Sequence, residues 1–365
     1  MFDHFKDAEV IVIAPNFDKD GKLTDIIKLF PDSKIKITYT HDASPLQRMI
    51  SSTMNLNDKD HICRIDGIRP FFDIESITTM LETASAGKYD CVKFPDDFPQ
   101  WFTSDIYKVS ALRRLSAIFE NEVIQNKAAL CVHPKFFMMR DARFKTTYLN
   151  KLPSYSDEYL MKCKSMLSDL NAGGRMDVNN KNIPAGDQLT FHYMLATKYI
   201  DKSDHVLDIA SGMGYGSRIL SKYARRIIGA DCDLETIELA KKTSLSFENI
   251  DFSIEDVTSM SFDSESFDKV VSMETIEHVD VKKYCEEIYR VLKPGGLLIL
   301  STPQSSYGKI PVVPEHLIEF SLEELKDIIN KHFKIEEIIG IKAGTIYFPE
   351  DPIGTSTFLV AKKPY

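Results

Sequence analysis

The chain has 365 residues, 43% of them hydrophobic and 27% charged, so it is long enough for two domains with cores of their own. Its net charge of −9 argues against a protein whose main role is to bind nucleic-acid backbones, and we expect no nucleic-acid partner. Six scattered cysteines without a C-x-x-C pair, and the lack of any apolar run of membrane length, predict a cytoplasmic protein with reduced thiols and no membrane span.

The first part of the chain alternates between predicted strands and helices. Residues 9–14 form an apolar strand, and "GKLTDIIKLF" follows as a helix that ends at Pro31. The strand "SKIKITYT" comes next, and then a helix that Ser44 is expected to cap. The alternation continues through "HICRIDG", "SITTMLETAS" and "YDCVKFP". This order predicts an α/β domain with a mainly parallel sheet over residues 1–150.

This first domain resembles the cytidylyltransferases of acidic-sugar and spore-coat polysaccharide synthesis. The resemblance rests on "HICRIDGIRPFFD", "YDCVKFPDDFP" and "TSDIYKVSALRRL". The family's phosphate-binding loop would precede residue 9, and its metal-binding aspartate would fall at Ile68, with Asp66 on the same side of a strand. The resemblance therefore implies a truncated, degenerate nucleotidyltransferase-like α/β domain. We expect this domain to act as a scaffold, to form the contact of a homo-oligomer, or to present substrate.

Residues 151–186 separate the two predicted domains. An apolar-periodic helix covers residues 157–170, and the following "NAGGRMDVNNKNIPAG" is rich in Gly, Asn and Pro without periodicity. We therefore expect a helix and then a linker or lid, with the second domain over residues 187–365.

The second domain places glycines and acids at the ends of its predicted strands. The segment "VLDIASGMGYGS" puts Gly212 and Gly214 between a strand and a helix, where backbone N–H groups can approach a ligand. The acids Asp208, Asp231 and Asp256 lie at the ends of three successive strands. Since open α/β sheets bind ligands at that edge, this pattern predicts one binding site.

The second domain resembles the class I S-adenosylmethionine-dependent methyltransferases. The matching segments are the glycine-rich loop, "IIGADCD", "IEDVTSMSFDSESFDKVVSMETIEHV" and "RVLKPGGLLILSTPQ". The resemblance implies a Rossmann-like domain whose mostly parallel sheet has an antiparallel last strand, with S-adenosylmethionine as cofactor. Asp208 would serve the methionine end, Asp231 the ribose, and Asp256 with Val257 the adenine. The implied cofactor-binding residues are Asp208, Ala210, Gly212, Gly214, Asp231, Asp256, Val257 and Met273.

A pair of glutamates and a histidine follows the fourth strand of this domain. If a helix begins after Met273, Glu274, Glu277 and His278 share one face, where two carboxylates repel each other unless a proton or cation lies between them. The E-x-x-E-H pattern resembles that of ubiquinone-pathway O-methyltransferases and small-RNA 2′-O-methyltransferases. The resemblance implies a divalent metal site that His316 completes, with ligands that suit Mg²⁺, Mn²⁺ or Zn²⁺. The alternative is an acidic helix N-terminus and an unrelated surface histidine.

The acceptor is predicted from a further partial resemblance. The segment "HLIEFSLEEL" and, in part, "FHYMLATKYI" resemble methyltransferases of bacterial sugar and surface-polysaccharide pathways. We expect an O-methyltransferase acting on a hydroxyl of a sugar, sugar nucleotide or surface-glycan precursor. His278, if it is not a ligand, or His192 would be the general base, although His192 has a packed helix histidine as its alternative. Other readings are a bifunctional nucleotidyltransferase and methyltransferase, a quinone-type or RNA 2′-hydroxyl acceptor, and a non-catalytic binding module.

Overall fold

The structure, a computed structural model, describes residues 10–15, 35–40, 44–66, 71–169, 188–307 and 311–365. It divides into two compact units. The first comprises Met1–Pro95 and Gln100–Ser154, and the second comprises Asp96–Pro99 and Tyr155–Tyr365. The predicted helix of residues 21–30, Ile68 and the predicted linker after residue 169 lie outside the described residues.

The first unit contains a mixed sheet. Its described strands are β1 (Val10–Pro15), β2 (Ile35–Thr40), β3 (His61–Arg64), β4 (Cys91–Lys93), β5 (Asp105–Lys108) and β6 (Thr146–Tyr148). Its described helices are α1 (Pro45–Ser52), α2 (Ile74–Gly87), α3 (Val109–Asn121), α4 (Lys127–Val132), α5 (Lys135–Met138) and the short 3-10 turn Gln100–Phe102. β1 pairs with β2 in parallel, and a separate four-stranded sheet has the order β3-β5-β4-β6.

The prediction of a mainly parallel sheet is wrong for these four strands. β5 is antiparallel to both of its neighbours, β3 and β4, and only β4 and β6 are parallel. The reason is that "DIYK" forms a strand between β3 and β4, which the alternating pattern did not reveal. The predicted N-cap is confirmed, since the Ser44 side chain accepts a hydrogen bond from the backbone N–H of Gln47 at the start of α1.

The second unit contains a larger sheet flanked by helices. Its described strands are β7 (His205–Ile209), β8 (Arg226–Asp231), β9 (Ile250–Ile254), β10 (Phe267–Met273), β11 (Leu292–Pro303), β12 (Lys334–Ile341) and β13 (Ser356–Lys362). Its described helices are α6 (Asp157–Asp169), α7 (Gln188–Ala196), α8 (Tyr215–Leu220), α9 (Leu234–Thr243), α10 (Val281–Val291) and α11 (Leu322–Ile329), with 3-10 turns at Thr197–Tyr199 and Ile276–His278.

The seven strands are arranged in the order β12-β13-β11-β10-β7-β8-β9. The five strands from β11 to β9 are parallel, whereas β13 is antiparallel to both β11 and β12. The predicted Rossmann-like sheet with an antiparallel last strand is therefore confirmed. No helix among the described residues is long and apolar enough to span a membrane.

Both faces of this sheet are covered by a core. Leu207 and Val270 face one core with the α10 residue Ile288, whereas Val206 and Val271 face the other. Successive strand residues point to opposite faces, so strands buried on both sides are apolar almost throughout. This burial is what makes the strands rigid supports for the loops at their carboxyl ends.

Candidate functional site

The candidate site lies where the parallel strands of the second unit end. The chain passes from β7 to β8 on one side of β7 and later returns to β10 on its other side, so the strand order reverses there. Ligands of open α/β sheets bind outside the carboxyl ends of the strands at such a reversal. The loops after β7, β8, β9 and β10 therefore form the candidate site.

The loop between β7 and α8 adopts a left-handed backbone at three positions. Ala210, Gly212 and Gly214 have φ values of 55°, 53° and 72°. At Gly212 an added Cβ would meet nothing within 4 Å among the described residues, whereas at Gly214 it would lie 2.5 Å from the Phe252 ring. Gly214 is thus needed for packing, and Gly212 leaves open space where a ligand can approach the backbone.

Asp208 lies beneath this loop and not on its surface. Its side chain is fully buried, and its two carboxylate oxygens accept hydrogen bonds from the hydroxyls of Tyr193 (2.9 Å) and Ser217 (2.6 Å). Burial raises the pKa of this carboxyl to about 7, and the two hydrogen bonds oppose that rise. Asp208 thus links the end of β7 to Tyr193 of α7 and Ser217 of α8, and its service to the methionine end remains a prediction.

Asp231 ties the end of β8 to the glycine loop. Its two oxygens accept hydrogen bonds from the backbone N–H groups of Gly212 and Asp233, each at 3.0 Å. The residue retains 9% of its surface, so its carboxylate lies next to the open position of the loop. The ribose-binding role of Asp231 remains a prediction for this position.

The predicted adenine-binding residues follow β9. Asp256 is exposed, and its Oδ1 accepts hydrogen bonds from the Thr258 N–H (2.8 Å) and hydroxyl (2.7 Å), which lower the pKa of the Asp256 carboxyl. Val257 is 7% exposed and belongs to one of the two cores. Met273, at the end of β10, is 6% exposed and packs in the other core. Asp256 is thus the accessible member of this group.

The predicted helix after Met273 does not form. Glu274 has a left-handed φ of 51°, and only a short 3-10 turn covers Ile276–His278 before α10 begins at Val281. The Glu274 N–H donates to the Ser301 carbonyl at 2.9 Å, which continues the pairing of β10 with β11 past the end of the strand. Glu274 and Glu277 therefore do not share a helix face, and their side chains have different surroundings.

Three of the four predicted metal ligands are brought together. Glu277, His278 and His316 offer ligand atoms that all lie within 4.8 Å of one another. Glu277 is fully buried: its Oε2 accepts a hydrogen bond from the Thr302 hydroxyl at 2.9 Å, and its Oε1 has no hydrogen-bond partner among the described residues. Burial, and then the nearby Glu274 carboxylate, raise the pKa of Glu277 well above its usual value.

Each of the two histidines makes a hydrogen bond through its Nδ1. His278 Nδ1 lies 2.9 Å from the Glu315 carbonyl oxygen, and His316 Nδ1 lies 2.8 Å from Glu319 Oε1. Both partners are acceptors, so each Nδ1 donates, and Nε2 is the ring nitrogen left to act as a ligand atom. Nε2 of His278 lies 3.8 Å from Glu277 Oε1.

Glu274 lies in a second group with Ser301 and His192. Its Oε1 accepts from the Ser301 hydroxyl at 2.9 Å and lies 3.5 Å from His192 Nδ1. Burial raises the pKa of Glu274 to about 7. The prediction of Glu274 as a fourth ligand is therefore not met by this arrangement.

His192 is fully buried on α7, and burial lowers its pKa to about 4. A fully buried His192 fits its alternative, the packed helix histidine, and its role as general base remains a prediction.

Sequence reasoning missed three residues that support the two glutamates and His316. Ser301 and Thr302 are buried in β11 and bind Glu274 and Glu277, and Glu319 binds His316. The only signal for Ser301 and Thr302 is a pair of hydroxyls that ends the otherwise apolar run of β11. Glu319 follows His316 by three residues, and this spacing points to Glu319 only once His316 is considered a metal ligand.

Parts of this chain are similar in sequence to known methyltransferases. Residues 207–300 match the methyltransferase domain family. The chain is 31% identical over 145 residues to a probable S-adenosylmethionine-dependent methyltransferase of Mycolicibacterium smegmatis, covering 38% of this chain and 55% of that protein. It is 32% identical over 128 residues to a ubiquinone biosynthesis O-methyltransferase of Coxiella burnetii, covering 33% of this chain and 55% of that protein.

Among solved structures, the N-methyltransferase NodS of Bradyrhizobium japonicum, in complex with S-adenosyl-L-homocysteine, is 16% identical with a TM-score of 0.41, covering 56% of this chain and 99% of NodS. The chain spans about half the length of the curated relatives named above. The second unit thus contains a class I S-adenosylmethionine-dependent methyltransferase domain.

Proposed function

We propose that the protein transfers a methyl group from S-adenosylmethionine to a hydroxyl oxygen of a small acceptor, with a divalent cation beside the acceptor. The observation that carries this proposal is the juxtaposition, at one sheet edge, of the open glycine loop and the cluster of Glu277, His278 and His316. Methyl transfer is an in-line displacement, so most of the rate comes from holding donor and acceptor in line.

The residues of the cluster fit a cation on three counts. The buried Oε1 of Glu277 lacks a hydrogen-bond partner among the described residues, which a cation would supply. Each imidazole makes its hydrogen bond through Nδ1, which leaves Nε2 as its ligand atom, and Nε2 of His278 lies 3.8 Å from this carboxylate. One carboxylate oxygen and two imidazole nitrogens suit Mn²⁺ or Zn²⁺ better than Mg²⁺, which prefers oxygen ligands. Such a cation lowers the pKa of a bound hydroxyl.

The protein's own residues perform the remaining tasks. The glycine loop and Asp231 position the methyl donor, and Asp208 anchors α8, which follows the loop, through Ser217. His278 is committed to the cation and His192 is buried, so neither takes the proton of the acceptor. Glu274 is the carboxylate that remains beside the cluster, and in its ionised form it can accept the proton of the acceptor.

For the acceptor we propose a hydroxyl of a sugar, sugar nucleotide or surface-glycan precursor, which is supported by the sequence resemblance in residues 316–325. A phenolic hydroxyl of a quinone-type ring is the second candidate, because a curated relative is named as a ubiquinone biosynthesis O-methyltransferase. The cytoplasmic location, the homo-oligomer, the absence of a nucleic-acid partner and the degenerate nucleotidyltransferase domain remain predictions.

Labelled methyl transfer from S-adenosylmethionine separates these two acceptors. We expect label to appear in a sugar-nucleotide pool and not in a demethylated quinone-type phenol, when both are offered to the full chain in the presence of Mn²⁺. Label in the phenol alone would replace the sugar acceptor by the second candidate. Label in neither, despite bound S-adenosylhomocysteine, would contradict both acceptors.

Replacing Asp231 with alanine is expected to weaken the binding of S-adenosylhomocysteine by about 10- to 100-fold, since a charge-assisted hydrogen bond contributes roughly 1–3 kcal/mol. Titration calorimetry on the full chain measures this. Asp251→Ala is the matched control, because Asp251 lies near the start of β9, away from the carboxyl ends of the strands, and pairs with Arg226 at the start of β8. Unchanged affinity in Asp231→Ala would contradict the assignment of the ribose site.

A further inference from the structure

One short segment, residues 315–319, supports all three members of the cation cluster. The Glu315 carbonyl accepts from His278 Nδ1, and the Leu317 and Ile318 N–H groups donate to the Glu277 carbonyl at 2.9 and 3.3 Å. The segment also carries His316 and Glu319, whose side chains bind each other. It lies beyond the part of the chain that matches the methyltransferase domain family. The site is thus assembled by a segment outside that match.

Within this segment, Glu319 is the one side chain that orients a candidate ligand. Its Oε1 lies 2.8 Å from His316 Nδ1, and the two side chains are only 12% and 16% exposed. A carboxylate accepts hydrogen bonds and donates none when ionised, so it holds the hydrogen on Nδ1 and leaves the Nε2 lone pair for the cluster. The carboxylate also makes the ring a better electron-pair donor, because it stabilises partial positive charge on the imidazole.

We propose that Glu319 is the positioning residue that fixes the tautomer and orientation of His316 and thereby sets the cation affinity of the cluster. This inference rests on the proposed function, because it requires that Glu277, His278 and His316 hold a divalent cation. The competing account is a simple ion pair between Glu319 and a protonated His316, which contributes to folding and has no effect on a cation.

Titration of the full chain with Mn²⁺, followed by calorimetry and by the electron paramagnetic resonance signal of free Mn²⁺, distinguishes the two accounts. We expect Glu319→Ala to bind Mn²⁺ about 10- to 100-fold more weakly than the unmodified chain, the usual loss when such a partner is removed. Glu319→Gln keeps an oxygen that can accept from Nδ1, so its affinity should fall between the two. This graded order would not arise from a loss of folding stability.

Glu315→Ala is the matched control, because Glu315 is exposed and contributes only its backbone carbonyl to His278. It removes the same charge from the same segment and should leave the affinity for Mn²⁺ within about twofold of the unmodified chain. Thermal unfolding in chelator is recorded for each variant. A Glu319→Ala protein that unfolds at lower temperature but binds Mn²⁺ normally would support the ion-pair account and overturn the inference.

The failure of the two proposals can be told apart. If the unmodified chain binds no Mn²⁺, the cation part of the proposed function is wrong and the role of Glu319 is overturned with it. If the unmodified chain binds Mn²⁺ and both Glu319 variants bind it equally well, only the role of Glu319 is overturned.

Discussion

Glu277→Gln is expected to lower methyl transfer by at least about 100-fold, because it removes the single carboxylate of the cation cluster, and a cation contributes several kcal/mol to such a reaction. Chelation of the unmodified protein should have the same effect, and Mn²⁺ should restore its activity but not that of the variant. The variant keeps the shape of the side chain, and its amide oxygen can still accept the hydrogen bond of Thr302.

The same substitution should not destabilise the protein in chelator. Glu277 is fully buried and lies near the charge of the Glu274 carboxylate, so an ionised Glu277 without a cation opposes folding. Thermal unfolding in chelator measures this, and we expect the variant to unfold at the same or a higher temperature.

Glu274→Gln is the matched variant for comparison with Glu277→Gln. Glu274 binds Ser301 and lies outside the three-residue cluster, so this variant should retain its affinity for Mn²⁺ even where turnover falls. Activity that survives exhaustive chelation would remove the cation from the mechanism. An equal loss of affinity for Mn²⁺ in Glu274→Gln and Glu277→Gln would instead show that Glu274 is a ligand.

The second large effect is expected at the glycine loop, where two glycines have different tasks. Gly214→Ala places a methyl group 2.5 Å from the Phe252 ring and 3.2 Å from the Ala240 Cβ, on a backbone with φ of 72°. The left-handed backbone costs an alanine roughly 1–2 kcal/mol and the overpacking about 1–3 kcal/mol more. We therefore expect the free energy of unfolding to fall by about 2–5 kcal/mol, measured by urea denaturation.

Gly212→Ala is the matched variant on the same loop. It has the left-handed cost but no clash among the described residues, so its stability should fall by only about 1–2 kcal/mol. Its methyl group would occupy the open space beside Asp231, and we expect the affinity for S-adenosylhomocysteine to fall by about tenfold or more. Normal affinity in Gly212→Ala would show that the cofactor does not approach this position. Equal stability of the two variants would contradict the packing role of Gly214.

The sheet of the second unit could be predicted because its information is local. Apolar runs such as "HVLDIA" and "GLLILSTP" must be buried on both faces, and the glycines between the first of them and a helix mark the sharp turn of the loop. The position of the acids could be predicted as well, because parallel strands bring their carboxyl ends, and the acids that follow them, to one edge of the sheet. The first unit was harder, because β5 is a short strand of four residues whose direction depends on its neighbours β3 and β4.

The amino-acid sequence by itself determined which chemistry is available: a glycine loop, acids at the strand ends, and two glutamates and two histidines suited to a cation. Only the tertiary structure decided which partners each of the two glutamates contacts. The Glu274 N–H pairs with the Ser301 carbonyl of β11, and this residue takes a left-handed backbone that turns its side chain to Ser301 and His192. Glu277 lies with His278 and His316, and these two histidines donate hydrogen bonds to the Glu315 carbonyl and the Glu319 carboxylate. Such partners are distant in sequence, so no local periodicity encodes them, and burial in one fold brings them within hydrogen-bonding distance.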